Sequence, residues 1–162
     1  MKHFFIARHG AYYLGGRLNK LGQQQIAALG RAIKEILNGD SVYIISSTAP
    51  RALDSSEQLA QHLKTAARIE AIPCLWYAAD SDHYDPVGDL DRDEIYKIVN
   101  ERREKADALI LMAHEELRDE FSGFFSEQEF GKRFHCSDID KGQADHYSMA
   151  EESYQLIPKT ES

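Results

Sequence analysis

Residues 3–10 read His3-Phe4-Phe5-Ile6-Ala7-Arg8-His9-Gly10. A short apolar run that stops at an arginine, a histidine and a glycine predicts a buried strand feeding a tight turn. In open α/β sheets, strand ends of this kind open onto the ligand crevice. Arginine offers a rigid fork of donors to an anion, histidine serves as nucleophile, base or acid, and glycine lets backbone approach a ligand closely. The three residues together are common in proteins. Their place at the end of a strand is what gives them weight.

Outward from that stretch, strands and helices alternate. Asn19 reads as an N-cap, followed by Ile26, Leu29, Ile33 and Leu37 at helical spacing and closed by Asn38-Gly39. Val42-Tyr43-Ile44-Ile45 is an apolar, β-branched run of the kind found in strands covered on both faces. Pro50 suits the opening turn of a second helix, with Leu53, Ser56, Leu59 or Ala60, and Leu63 expected inward. Ile69 to Leu75 is a weaker strand that ends at or soon after Pro73, and the polar stretch from Tyr77 to Leu90 reads as a long loop. Asp91, with Glu94 three residues on, caps a helix that turns Ile95, Ile98 and Val99 inward. Ala108 to Ala113 is the strongest strand, and Leu117, Phe121, Phe124 and Phe125 mark a fourth helix with core aromatics. A last strand is expected around Ala144 to Met149. The series predicts a three-layer α/β/α sandwich with a mainly parallel central sheet.

Composition bounds the partners. The chain has 162 residues, 43% of them hydrophobic, which fits one domain over residues 1–157 and a short flexible tail over residues 158–162. Lys and Arg total 19 against 27 Asp and Glu, a net charge of -8. That balance supports neither nucleic-acid nor anionic-membrane binding. An anionic substrate has to be attracted locally, against the overall field. Arg8 and His9 interrupt the first apolar run too early for a secretory leader, and no run approaches the roughly 20 apolar residues of a membrane span. Cys74 and Cys136 have no metal-ligand spacing, so reduced thiols in a cytoplasm are expected.

The strand ends converge. The first delivers Arg8 and His9, and the second runs through Ser46-Ser47-Thr48-Ala49-Pro50 to Arg51 in the next helix's opening turn. The strongest delivers His114. In a parallel sheet these ends share one edge, where helix N-termini add N–H groups and positive dipole ends. Two guanidinium groups and two imidazoles make a pocket for a tetrahedral dianion, of which phosphate is the obvious example. A metal held by His9, His114 and a loop aspartate is disfavoured there, because the two arginines repel a cation.

Taken together, Arg8-His9-Gly10, the helix start Leu18 to Gln25, Ser46 to Ala52, and Met112-Ala113-His114 resemble the histidine phosphatase, or phosphoglycerate mutase-like, superfamily. The resemblance covers roughly residues 2–125, and the length is similar to that of the short bacterial phosphohistidine phosphatases. It implies that His9 is a nucleophile that becomes phosphorylated and that Arg8 and Arg51 bind the phosphoryl oxygens. His114 would bind the same group and stabilise its transition state, with no metal or cofactor required. The substrate would be a phosphorylated protein, first of the phosphohistidine type, or a phosphorylated small molecule. A catalytically weak phosphate-binding regulatory module is the reading from outside enzymology.

Departures from the family pattern also matter. Thr48 stands where the family frequently has Pro, and Glu115-Glu116 follow the second histidine, where carboxylates would repel a dianion unless turned away. No residue matches the family's proton donor cleanly; Asp82, Asp80, Asp85 and Glu115 are the candidates, Asp82 first. His83 is a further residue that could line the pocket. Asn19 is fully explained as a cap, Gln23, Gln24 and Gln25 as a solvated helix face, and Ser46 and Ser47 as hydroxyls bonded to turn backbone. His3, His62, His135 and His146 show no partner pattern.

Overall fold

In the computed structural model, residues 1–64, 67–75, 91–136 and 138–158 are described. The chain runs β1 (His3–Arg8), α1 (Lys20–Leu37), β2 (Val42–Ser47), α2 (Pro50–Leu63), β3 (Arg68–Ile72), α3 (Arg92–Asn100), β4 (Ala108–Ala113), α4 (Glu115–Phe130), β5 (Ala144–Ser148) and β6 (Ser153–Ile157). One sheet takes the order β3-β2-β4-β1-β5-β6. β1, β2, β3 and β4 are mutually parallel, β5 runs antiparallel to β1, and β6 antiparallel to β5. The expected sandwich is present. β6 was not anticipated, and it forms a hairpin with the expected last strand.

Strand alternation sorts the core into two layers. Phe5, Ala7, Ile44, Ile110 and Met112 face α1 and α2, against Ile26, Leu29, Ile33, Ala52, Leu59 and Leu63. Phe4, Ile6, Ile45, Leu109, Leu111 and Ala113 face α3 and α4, against Ile95, Val99, Leu117, Phe121 and Phe125. β2, β4 and most of β1 are buried on both faces, which is why they read as continuous apolar runs.

The caps are as the sequence suggests. Asn19 accepts from the Gly22 N–H at 2.9 Å, and Asp91 accepts from the Asp93 and Glu94 N–H groups. Asn38 takes the left-handed conformation that ends α1. Two details differ. In α2 the buried positions are Arg51, Ala52, Ser55, Ser56, Leu59 and Leu63, with Leu53 only half-buried. The helix is rotated so that Arg51 turns toward the sheet edge. Gln25 is only half-exposed, and its Oε1 accepts from the Ala11 N–H at 2.8 Å.

That last bond belongs to a close junction between the turn after β1 and the start of α1. A Cβ on Gly22 would lie 1.9 Å from the Ala11 carbonyl oxygen, and one on Gly10 would lie 2.7 Å from the Gly22 carbonyl oxygen. Glycine is required at both positions because backbone meets backbone. Cys74 and Cys136 are free thiols. No helix among the described residues is long and apolar enough to cross a membrane. Of the expected tail, only Pro158 is described; its carbonyl accepts from Gln143 Nε2.

Candidate active site

The three neighbouring strands β2, β4 and β1 end level with one another. Arg8 pairs with Ala113 and Ser46 with Met112, so the residues that follow each strand emerge side by side. His9, Arg51 and His114 meet there, each at most 3% exposed.

His9 has two partners of opposite demand. Its Nδ1 lies 2.9 Å from the Gly10 carbonyl oxygen, which can only accept, so Nδ1 carries the proton. Its Nε2 lies 3.1 Å from Arg51 Nε, which can only donate, so Nε2 holds the lone pair. The ring is thereby fixed as the tautomer whose lone-pair nitrogen faces a guanidinium. His114, the N-cap residue of α4, lies between Arg51 and Ser47. Its Nδ1 is 3.4 Å from Arg51 Nη2, and its Nε2 is 2.9 Å from Ser47 Oγ. The two imidazole centroids are 5.1 Å apart at 66°.

Arg51 reaches this position from the first turn of α2, where Pro50 starts the helix. Ser55, one turn on, accepts from the Gly10 N–H at 3.1 Å and donates to the Arg51 carbonyl at 2.7 Å, tying the glycine turn to the helix. Ser47 Oγ also accepts from the Ala49 N–H at 3.2 Å, so one hydroxyl closes the strand-helix turn and positions His114. The starts of α2 and α4 lack side-chain caps, whereas α1 and α3 have them. Uncapped N-termini aim positive dipole ends at the same spot.

Tyr12 forms one wall. Its ring meets His9 edge-on with centroids 5.2 Å apart, and the Arg51 Cζ lies over it at 4.8 Å from the centroid. Sequence reasoning missed Tyr12, Ser47's bond to His114, and Ser55. A lone aromatic and two serines have no periodicity to reveal them.

Arg8 stands beside the trio and is engaged differently. Its Nη2 pairs with Glu115 Oε2 at 2.6 Å and its Nη1 donates to the Ile139 carbonyl at 2.8 Å. Its buried Nε has no hydrogen-bond partner among the described residues. Glu115 is therefore held by an arginine at the start of α4. Asp80, Asp82, Asp85 and His83 lie outside the described residues.

No family model matches the chain, and no curated protein matches it in sequence. Solved structures match it along its whole length. The protein histidine phosphatase SixA complexed with tungstate is 14% identical, over 95% of this chain and 93% of that one, with a TM-score of 0.66. Mycobacterial hydrolase 1 is 15% identical over 99% of both chains, TM-score 0.62. A mycobacterial glucosyl-3-phosphoglycerate phosphatase solved with VO3 is 15% identical over 100% of both, TM-score 0.59. The chain has the α/β fold of the histidine phosphatases.

Proposed function

We propose that the protein is a metal-independent phosphatase that works through a covalent phosphohistidine on His9. The observation that carries this reading is the fixed tautomer of His9, with Nδ1 bound to the Gly10 carbonyl and Nε2 turned toward Arg51. A neutral imidazole with its lone pair facing a buried guanidinium is a nucleophile beside an anion site. Two neighbours of the same fold were solved with tungstate and VO3, both oxyanions, which supports an oxyanion as the ligand.

In the first step the His9 Nε2 lone pair attacks phosphorus and forms the P–N bond. The bond to the leaving group breaks, and that group departs with the electron pair and takes up a proton. Arg51 holds the equatorial oxygens, the Arg8 Nε–H supplies a further donor, and His114 donates to them from Nδ1 once that nitrogen carries a proton. Charge stabilisation and positioning do most of the work in phosphoryl transfer. Water then attacks the phosphoryl group, the P–N bond breaks and inorganic phosphate leaves. Glu115 is engaged as an acceptor by Arg8, which argues against it as proton donor. Phosphohistidine is the first substrate class, since its imidazole leaving group needs less protonation than an alkoxide.

Two further readings stay in view. Small phosphate esters are the alternative substrate, in keeping with the glucosyl-3-phosphoglycerate phosphatase neighbour. A phosphate-binding module without turnover rests on the Glu115 carboxylate that holds Arg8. The test is rapid quenching during turnover of a phosphohistidine protein and of p-nitrophenyl phosphate. An acid-labile phosphate located on His9 by mass spectrometry, and lost in His9→Ala, is expected. Turnover that survives His9→Ala overturns the reading, and vanadate binding with no turnover of either substrate establishes the module instead.

A further inference from the structure

The segment that enters β5 is bound tightly to the site. Gly142 N–H donates to the Arg8 and His9 carbonyls at 3.1 and 3.2 Å, and the Arg8 N–H donates to the Gln143 carbonyl at 2.9 Å. The Ile139 carbonyl takes the Arg8 guanidinium, and Asp140 and Gln143 bond to each other through backbone and side chain. Gly142 is left-handed, at φ 78°, and a Cβ there would lie 2.5 Å from the Gln25 Cβ. The position of residue 141 is therefore fixed from both sides.

Lys141 projects from this segment onto the Tyr12 ring. Its Nζ lies 4.8 Å from the ring centroid, and the same ring meets His9 and carries Arg51. Lys141, a half-buried residue, thus places its ammonium two ring contacts from His9. Among the described residues it has no carboxylate within ion-pairing distance. A cation over an aromatic face that solvent reaches gains less than one that makes a charge-assisted hydrogen bond to an anion. In a chain of net charge -8, a lysine held in this way is a local attractor for negative charge.

We propose that Lys141 reads a second anionic group on the substrate, a carboxylate beside the phosphoryl group that His9 receives. His9, Arg51 and His114 already enclose the transferred group, so Lys141 acts on substrate choice. The proposal rests on the phosphatase reading for its substrate but not for its test. Its carboxylate belongs either to a small molecule or to an acidic residue next to a phosphohistidine in a protein. The two sources share one chemistry, and the experiment separates them.

The experiment compares matched pairs: 4-carboxyphenyl phosphate against phenyl phosphate, and a phosphohistidine peptide with an adjacent glutamate against one with alanine there. The carboxylate member of at least one pair is expected to show a kcat/KM about tenfold higher, carried by KM, as one charge-assisted hydrogen bond implies. Lys141→Gln should bring the ratio close to one, Lys141→Arg should keep most of it, and added salt should shrink it. Preference in the aryl pair places the carboxylate on a small molecule, and preference confined to the peptides places it on a protein. No preference in either pair, or a ratio unchanged in Lys141→Gln, overturns the assignment. Calorimetric binding of 4-carboxyphenylphosphonate and phenylphosphonate repeats the comparison without turnover. If neither ester is hydrolysed but the carboxylated phosphonate binds tighter through Lys141, the phosphatase reading fails and the Lys141 assignment stands.

Discussion

His9 shows how much chemistry two neighbours can decide, since a carbonyl on one nitrogen and a guanidinium on the other leave its ring one tautomer. Arg51 serves both imidazoles and the Tyr12 face, and a lysine cannot reproduce that planar fork. Arg51→Lys is expected to lower kcat/KM for p-nitrophenyl phosphate by about 10²–10³, the scale for loss of one preorganised donor. A loss below tenfold in steady-state kinetics would remove Arg51 from the transition state. Glu115 offers the opposite sign. Its ion pair with Arg8 is partly exposed and contributes at most about 1 kcal/mol, while its charge opposes a dianion. Glu115→Gln keeps an acceptor for Arg8 and removes the charge, so KM should fall about threefold. A rise in KM would show that holding Arg8 outweighs the repulsion. That His9, Arg51 and His114 come together was legible in the sequence, because each follows the end of a strong strand within four residues. The pairing of Arg8 with Glu115 was not, because sequence does not show which way a side chain turns at a helix start.

The junction of the β1 turn with α1 tests an element against its own propensity. Alanine in place of glycine inside a helix ordinarily gains about 1 kcal/mol. At Gly22 the added methyl would fall 1.9 Å from the Ala11 carbonyl oxygen, and neither backbone can yield without moving the glycine turn. Gly22→Ala is therefore expected to destabilise by about 2 kcal/mol, in the range of overpacking. A lower urea midpoint at unchanged slope is the measurement, and a gain in stability would show that the turn is free to move. Such a shift should also lower activity, because the same turn carries His9 and Gly10. The elements themselves were legible where burial on both faces wrote continuous apolar runs, as in β2 and β4. β6 was hidden for two physical reasons. Its residues are mostly half-buried, and the polar-apolar alternation of Ser153-Tyr154-Gln155-Leu156 is too short to stand out from the loop sequence beside it. Its hairpin turn places Glu152, not glycine or asparagine, at positive φ, so the usual turn signal is missing.

Across the whole molecule, the parallel strands build the site and the antiparallel hairpin extends the sheet beyond β1. Two buried polar groups join them. Arg118 pairs with Asp145 at 2.6 Å, and Ser122 and Tyr154 also bond that carboxylate. On the other face His146 stacks on Phe5 with centroids 4.6 Å apart, its Nε2 3.0 Å from His3 Nδ1 and its Nδ1 2.9 Å from Gln155 Nε2. Burial, then the nearby His3, pushes the His146 pKa down to about 4. His3 is itself lowered, by burial against the attraction of Asp40. The direction for stability follows from linkage. Below about pH 6.5 the unfolded chain binds a proton at His146 that the native protein refuses until about pH 4. Stability contributed by the neutral ring is therefore full above pH 6.5 and is lost as pH falls toward 4, by at most about 3 kcal/mol. The Glu70 carboxyl, held down to about 2 by Arg102, loses its contribution only lower, as pH falls from about 4.5 toward 2. Thermal unfolding from pH 7 to 4.5 should thus show Tm dropping by several degrees. His146→Gln, which keeps hydrogen-bonding groups without a titrating ring, should flatten most of that slope. Equal slopes in the two proteins would assign the acid sensitivity to other groups and leave His146 as packing alone.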